Sequence, residues 1–277
     1  MKKLLAIITL AATALSAQAE VGVSGNIRYD AVNGGTGTAT GITESKIVFS
    51  STEDLGGGNT VSAAIGLDGA ARNETVSGVD AQMTLGTKMG ALTVGQVELG
   101  NGIIGRGLGG APVIGADGSV LADKGYADIV KYAAPAIGGF TASVSGTRAI
   151  DGSAARAYTA GVSGKVLGMD TGVDYNESTK RVRASASTQV GPLTVGAGWS
   201  GRETGVADSR VFGASTTFGA VTVGAARSIG NGTANEVGAK YAFSKRTNVQ
   251  VAMRDVSENS VVANNVKTYR VRMEHAF

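Results

Sequence analysis

The chain contains no cysteine, three prolines, one histidine and few aromatic residues (5%). Each shortage removes a class of protein. Without cysteine there is no disulfide framework, no thiolate metal site and no thiol nucleophile. The lone histidine, His275, rules out a clustered imidazole site and makes a Ser-His-Asp triad a poor candidate. Charged residues make up 17% of the chain and mean hydropathy is +0.10, which argues against a disordered polyelectrolyte. Beyond the N-terminus, no apolar run approaches the roughly 20 residues that a membrane-spanning helix needs. The bulk of the chain is therefore either soluble or crosses a membrane with strands. What it has in abundance is glycine, 43 of 277 residues.

The N-terminus reads Met1-Lys2-Lys3, then an apolar stretch from Leu4 to Leu15, then Ala17-Gln18-Ala19. A positive n-region, a short h-region and a small-x-small site form an export signal. The expectation is cleavage after Ala19, with residues 1–19 as signal peptide and 20–277 as one mature domain. Without Lys2 and Lys3 the formal charge of +3 falls to about +1, and both signs are interspersed. A nucleic-acid binder needs clustered basic residues, so nucleic acid is not an expected partner.

The mature chain has almost no helical period and alternates with period two, the strand signal. Val21, Val23, Ile27 and Tyr29 alternate with Ser24, Asn26, Arg28 and Asp30. Val61, Ala63, Ile65 and Leu67 do the same, and the last strand alternates Tyr269, Val271, Met273, His275 and Phe277 with Arg270, Arg272 and Glu274. A short rhyme recurs at Gly90-Ala91-Leu92-Thr93-Val94-Gly95, Gly191-Pro192-Leu193-Thr194-Val195-Gly196 and Gly219-Ala220-Val221-Thr222-Val223-Gly224. Each copy reads as a tight turn followed by a strand. The pattern predicts sixteen strands, near 20–30, 41–51, 59–68, 78–87, 92–98, 126–133, 139–147, 155–163, 169–176, 180–189, 192–200, 208–217, 220–227, 234–242, 246–254 and 266–277. The seventh to tenth alternate least clearly, so fourteen is the alternative count. Connections alternate short and long, and the longer ones include 31–40 and 99–125.

The polar face decides the environment. It carries Arg28, Lys46, Lys131, Arg183, Lys240, Arg254, Arg270, Arg272 and Glu274. Burying so many ions in a dry core would cost several kcal/mol each, so this face needs water. The apolar face is thin, rich in Ala, Val and Gly, which suits lipid better than a sandwich core. Aromatics such as Tyr29, Tyr132, Tyr175, Trp199, Tyr241 and Phe277 fall near strand ends, the girdle expected at two water–lipid interfaces. The expected fold is an all-β, transmembrane antiparallel barrel, closed by pairing the first strand with the last. Sixteen tilted strands leave a lumen too wide for side chains to fill.

Residues Leu99 to Gly125 form the longest stretch without a strand pattern, and structureless loops of this length are usually functional. Lying after the fifth strand, the loop is a candidate to fold inward and narrow the pore. Asp117 and Asp123 would then sit at the constriction, with Arg28, Lys46, Arg270 and Arg272 on the facing wall. Opposed charges across a narrow aqueous path set ion preference. The alternative is a loop over the rim with its acids merely solvated. More Arg and Lys than acids on the chosen strands leans toward mild anion preference.

Four blocks resemble the Gram-negative general porins: Ser51-Thr52-Glu53-Asp54-Leu55-Gly56-Gly57-Gly58; Tyr132-Ala133-Ala134-Pro135 with Gly139-Phe140; Tyr241-Ala242-Phe243-Ser244-Lys245-Arg246-Thr247; and the terminal His275-Ala276-Phe277. Ala134 stands where a Ser is common in that family, and the loop lacks its usual acidic motif. The resemblance implies a sixteen-stranded barrel, a homotrimer, a third loop folded into the pore, and recognition of Phe277 by the outer-membrane assembly machinery. The reading that follows is an outer-membrane porin for passive diffusion of ions and small hydrophilic solutes, in contact with lipid and lipopolysaccharide. It needs no cofactor, metal or catalytic residue. The alternatives are a non-conducting surface or adhesion barrel and an enzyme barrel. Gly105-Arg106-Gly107-Leu108-Gly109-Gly110 neither follows a parallel strand nor opens a helix, so it is no dinucleotide loop.

Overall fold

The computed structural model describes residues 20–35, 37–69, 76–98, 105–115, 126–147, 157–201, 207–230, 232–257 and 266–277. The expected signal segment, 1–19, lies outside them. Sixteen strands run in chain order: β1 (Glu20–Gly34), β2 (Gly37–Gly56), β3 (Asn59–Asp68), β4 (Ser77–Thr87), β5 (Gly90–Glu98), β6 (Tyr126–Ala133), β7 (Phe140–Thr147), β8 (Ala157–Val166), β9 (Met169–Asn176), β10 (Arg181–Val190), β11 (Leu193–Gly201), β12 (Ser209–Phe218), β13 (Val221–Ile229), β14 (Thr233–Ala242), β15 (Thr247–Val256) and β16 (Val266–Ala276). Each pairs antiparallel with its sequence neighbours, and β1 pairs with β16, so the sheet closes into a barrel. The count is sixteen, not fourteen. Closure also leaves no strand edge unpaired.

The two faces divide as the alternation predicts. Val23, Ile27, Phe49, Ile65, Met83, Val144, Val173, Val237, Val251 and Val271 are exposed on the outside. The intervening polar residues point into the lumen. Aromatics form two outer bands. Tyr158, Tyr175, Trp199, Phe212 and Tyr269 lie toward the longer connections. Tyr132, Phe140, Phe218, Tyr241, Phe243 and Phe277 lie toward the tight turns, where Tyr241 and Phe243 meet edge to face at 4.9 Å. In barrels of this kind the tight turns are periplasmic and the longer connections extracellular.

One boundary differs from expectation. Within residues 31–40, read as a long connection, 31–34 and 37–40 are strand: β1 continues to Gly34 and β2 begins at Gly37. Thr38 to Gly41 are paired with Asp30 to Asn33, yet carry no alternation. A hairpin that rises past the lipid is wet on both faces, so nothing selects apolar residues on either side and the period-two signal is lost. A bulge beside Arg28 shifts the β1–β2 register past Thr43 and re-aims the chain where the hairpin leaves the wall.

Candidate functional site

The long loop enters the barrel. Its described part is a single 3-10 turn, Gly105–Leu108, followed by a turn at Gly109-Gly110 and an irregular run to Gly115. The turn contacts β10, β11 and β12. Residues 105–115 therefore do not lie over the rim, the alternative expected for the loop. The sequence prepares a seat for it. Along the inner wall Gly196 faces Gly213, Ser215 faces Gly224, Gly224 faces Gly238, Gly238 faces Ala252, and Ala252 faces Arg270. Glycine inside a strand weakens it, and often marks the close approach of another backbone. Here a Cβ on Gly196, Gly213 or Gly238 would run into the carbonyl oxygen of Arg106, Leu108 or Pro112 respectively. On Gly224 it would lie 2.8 Å from the Ala111 Cα. Ala111 and Val113 pack on Val211 and Ala226, with Leu108 beside them, giving this wall a small dry patch.

Polar contacts fix the loop along this track. Ser215 Oγ donates to the Gly109 carbonyl at 2.6 Å. Glu236, 1% exposed, accepts the backbone N–H of Ile114 at 2.6 Å and of Gly115 at 3.0 Å through Oε2. Its Oε1 lies 3.3 Å from Arg254 Nε. Arg270 donates to the carbonyls of Val113 at 2.9 Å and Ile114 at 3.4 Å, and Gln250 to that of Val113 at 3.2 Å. A carboxylate thus takes the loop's donors while a guanidinium takes its acceptors, both over residues 113–115.

Beyond the seat the inner wall becomes ionic. Arg28 on β1 pairs with Glu44 on β2 and, at 3.1 Å, with Glu274 on β16. Arg272 grips Asp30 with two hydrogen bonds of 2.7 and 2.6 Å. Lys46 pairs with Asp80 at 2.7 Å. Arg28, Lys46 and Arg272 therefore gather on three adjacent strands as expected, but each comes with a carboxylate. These acids occupy inward alternating positions too, so the wall is nearly balanced. Arg270 departs from expectation: it lies beneath the loop, not across the lumen from it, because the loop runs along the wall from β10 toward β16. Asp117 and Asp123 lie outside the described residues. Glu236 and the glycine track were not singled out from sequence, although an acid and four glycines at inward strand positions were the available signal.

A closed sixteen-strand barrel with an ionic lumen and an inserted loop invites comparison with known proteins. The family description "Gram-negative porin" matches residues 5–277. The chain belongs to the Gram-negative porin family. Among solved structures, this porin resembles a loop L8 deletion mutant of OmpT, an outer membrane protein of Vibrio cholerae (TM-score 0.77, 10% identity, covering 94% of this chain and 99% of that one). It also resembles a triple mutant of the Rhodopseudomonas blastica porin (TM-score 0.73, 16% identity, 93% and 100% coverage). Identities this low speak for the fold alone. No curated protein matches the chain. Membership and fold together make it an outer-membrane porin. His275, outward near the tight-turn rim, shares a 2.8 Å hydrogen bond with Thr247 Oγ1.

Proposed function

We propose that this porin forms a water-filled channel for passive diffusion of ions and small hydrophilic solutes, and that it works as a homotrimer. The observation that carries the reading is an ionic inner wall facing a loop seated inside a closed ring of strands. Charges such as Arg28 and Lys46 are paired yet partly exposed, which suits a wall wetted by a lumen. No bond is made or broken, and radius and charge select the solute.

The constriction lies between the loop and the wall of Arg28, Lys46 and Arg272, with Asp117 and Asp123 contributed by the loop beyond Gly115. Lys131 and Lys240 point inward on β6 and β14 with no ion-pair partner among the described residues, which supports a mild anion preference. Residues 1–19 are removed on export, and Phe277, just past the closing strand, is the mark read by the assembly machinery. Reconstitution in a planar bilayer tests the function. Conductance steps grouped in threes, with a small anion-selective reversal potential in a salt gradient, are expected. Folded protein that carries no current would overturn it.

A further inference from the structure

All seven tight turns lie within the described residues. Leu167 (93% exposed), Ile137 (79%) and Met89 (76%) are the most exposed large apolar side chains among those residues. They occupy three consecutive tight turns, Met89 between β4 and β5, Ile137 between β6 and β7, and Leu167 between β8 and β9. The tips of the other four turns carry Gly57-Gly58, Gly191-Pro192, Gly219-Ala220 and Ser244-Lys245-Arg246.

The turns themselves do not ask for these side chains. Leu167 and Gly168 have φ of 49° and 80°, both positive as in a type I′ turn. The first position of such a turn suits Asn, Asp or Gly, so a Leu there is strained as well as exposed. Met89 serves its turn through backbone alone: its N–H donates to Thr87 Oγ1 at 3.1 Å, and its carbonyl accepts from the Tyr132 hydroxyl. Ile137 exchanges two backbone hydrogen bonds with Phe140, at 2.8 and 3.0 Å. Apolar exposure at all three tips, and strain at Leu167, bring no gain inside the chain. Features of this kind mark contact with something outside it.

Position names the contact. Tyr132 and Phe140 belong to the outer aromatic band on the tight-turn side, so Met89 and Ile137 are bonded directly to that band. The band is interrupted on either side of them. The last large outward residues before the turns are Leu85 and Leu92 on β4 and β5, and Val166 and Met169 on β8 and β9. Met89 and Leu167 stand at the tips of those two hairpins, where aromatics are missing. Tips two strands apart are separated by about 10 Å. Three side chains on such an arc make no contiguous patch of the roughly 800 Å² that a protein partner covers, whereas fluid lipid fills the gaps between them. Lys88, exposed beside Met89, supplies an ammonium that reaches a phosphate.

We infer that the rim carrying Met89, Ile137 and Leu167 binds phospholipid of the inner leaflet. The three side chains enter the boundary between headgroups and acyl chains, a depth of about 5–10 Å, while the tips from β10 to β15 stay in water. The inference rests on the porin's crossing of the membrane and says which sector of it sits deeper.

The chain has no cysteine, so Met89→Cys, Ile137→Cys, Leu167→Cys and Ala220→Cys each place one fluorophore on the folded porin. Val251→Cys, outward on β15, reports on the barrel wall. The labelled proteins are reconstituted in vesicles of phosphatidylethanolamine and phosphatidylglycerol, and quenched either by nitroxide-bearing phospholipid or by iodide in the water on both sides. Labels at 89, 137 and 167 should be quenched by the lipid and protected from iodide, and the label at 220 should show the reverse. Labels at the three tips as open to iodide as the one at 220 would overturn the inference, while lipid quenching at 251 would keep the barrel in the membrane. Protection from both quenchers would also overturn it, placing protein, such as a second copy of this chain, on the tips. Loss of lipid quenching at 251 would overturn the membrane reading itself and the inference with it.

Discussion

Two stretches of the inner wall share one strand geometry and one apolar exterior, yet behave as different materials. Beneath the loop, β11 to β14 offer Gly196, Gly213, Gly224 and Gly238, with Ser215, Val211 and Ala226 between them. Beside it, β16, β1 and β2 offer Arg272, Asp30, Glu274, Arg28, Glu44 and Lys46. The first stretch removes side chains so that backbone can lie on backbone, and it is dry. The second extends long ionised side chains that pair with one another in water. Because strand alternation fixes the exterior independently, the interior can change from seat to ionic wall within a few strands at no cost to membrane insertion.

The contrast can be broken most forcefully at the seat. Replacing Gly238 by Leu puts a side chain where the Pro112 carbonyl lies, and overpacking of this kind costs about 1–3 kcal/mol. The loop should leave the wall, and single-channel conductance should change more than for any other substitution considered. Glu236→Gln comes next. It removes the charge that Arg254 and two loop N–H groups share, at a cost of about 3 kcal/mol. Open-channel noise should increase and proteolysis of the loop should accelerate, with the barrel still resistant to heat.

Arg28→Gln tests the ionic wall. It leaves Glu44 and Glu274 uncompensated and should raise the cation-to-anion permeability ratio roughly twofold, an effect that high salt screens. Arg270→Gln, beneath the loop, should alter noise more than selectivity; equal reversal-potential shifts for the two would erase the distinction between the walls. The smallest effect is expected for Ser215→Ala, which removes one hydrogen bond worth about 1 kcal/mol and should alter loop protection in hydrogen exchange without changing current.

The strands were legible because the lipid face and the wet face impose opposite demands on successive residues, which marked most of the runs clearly and the seventh to tenth least. The β1–β2 hairpin was misjudged where both faces meet water and the demand disappears. Arg28, Lys46, Arg270 and Arg272 lie on the inner face that the alternation gave them, Arg270 beneath the loop. Their partners were harder to assign, because the register that sets Asp30 opposite Arg272 depends on how the ring closes, and no local pattern records it. The glycine track was in plain view. Gly196 and Gly224 end two copies of the Leu/Val-Thr-Val-Gly rhyme, but as single strand residues they carry no pattern. Only the approach of residues 106–112 gives them meaning. Arg270 and Glu236 share that difficulty, since one loop backbone supplies the ligands of both.

Phe277 exchanges two backbone hydrogen bonds with Gly25 at 3.0 and 3.1 Å, and its ring covers the Gly25 position where a side chain would collide. Phe277 is thus stitched to a residue near the start of the first barrel strand. The ring closes only when β16 meets β1, so the pairing that seals the barrel joins the strands farthest apart in the chain. A truncation of even one residue removes the clasp, not merely an end.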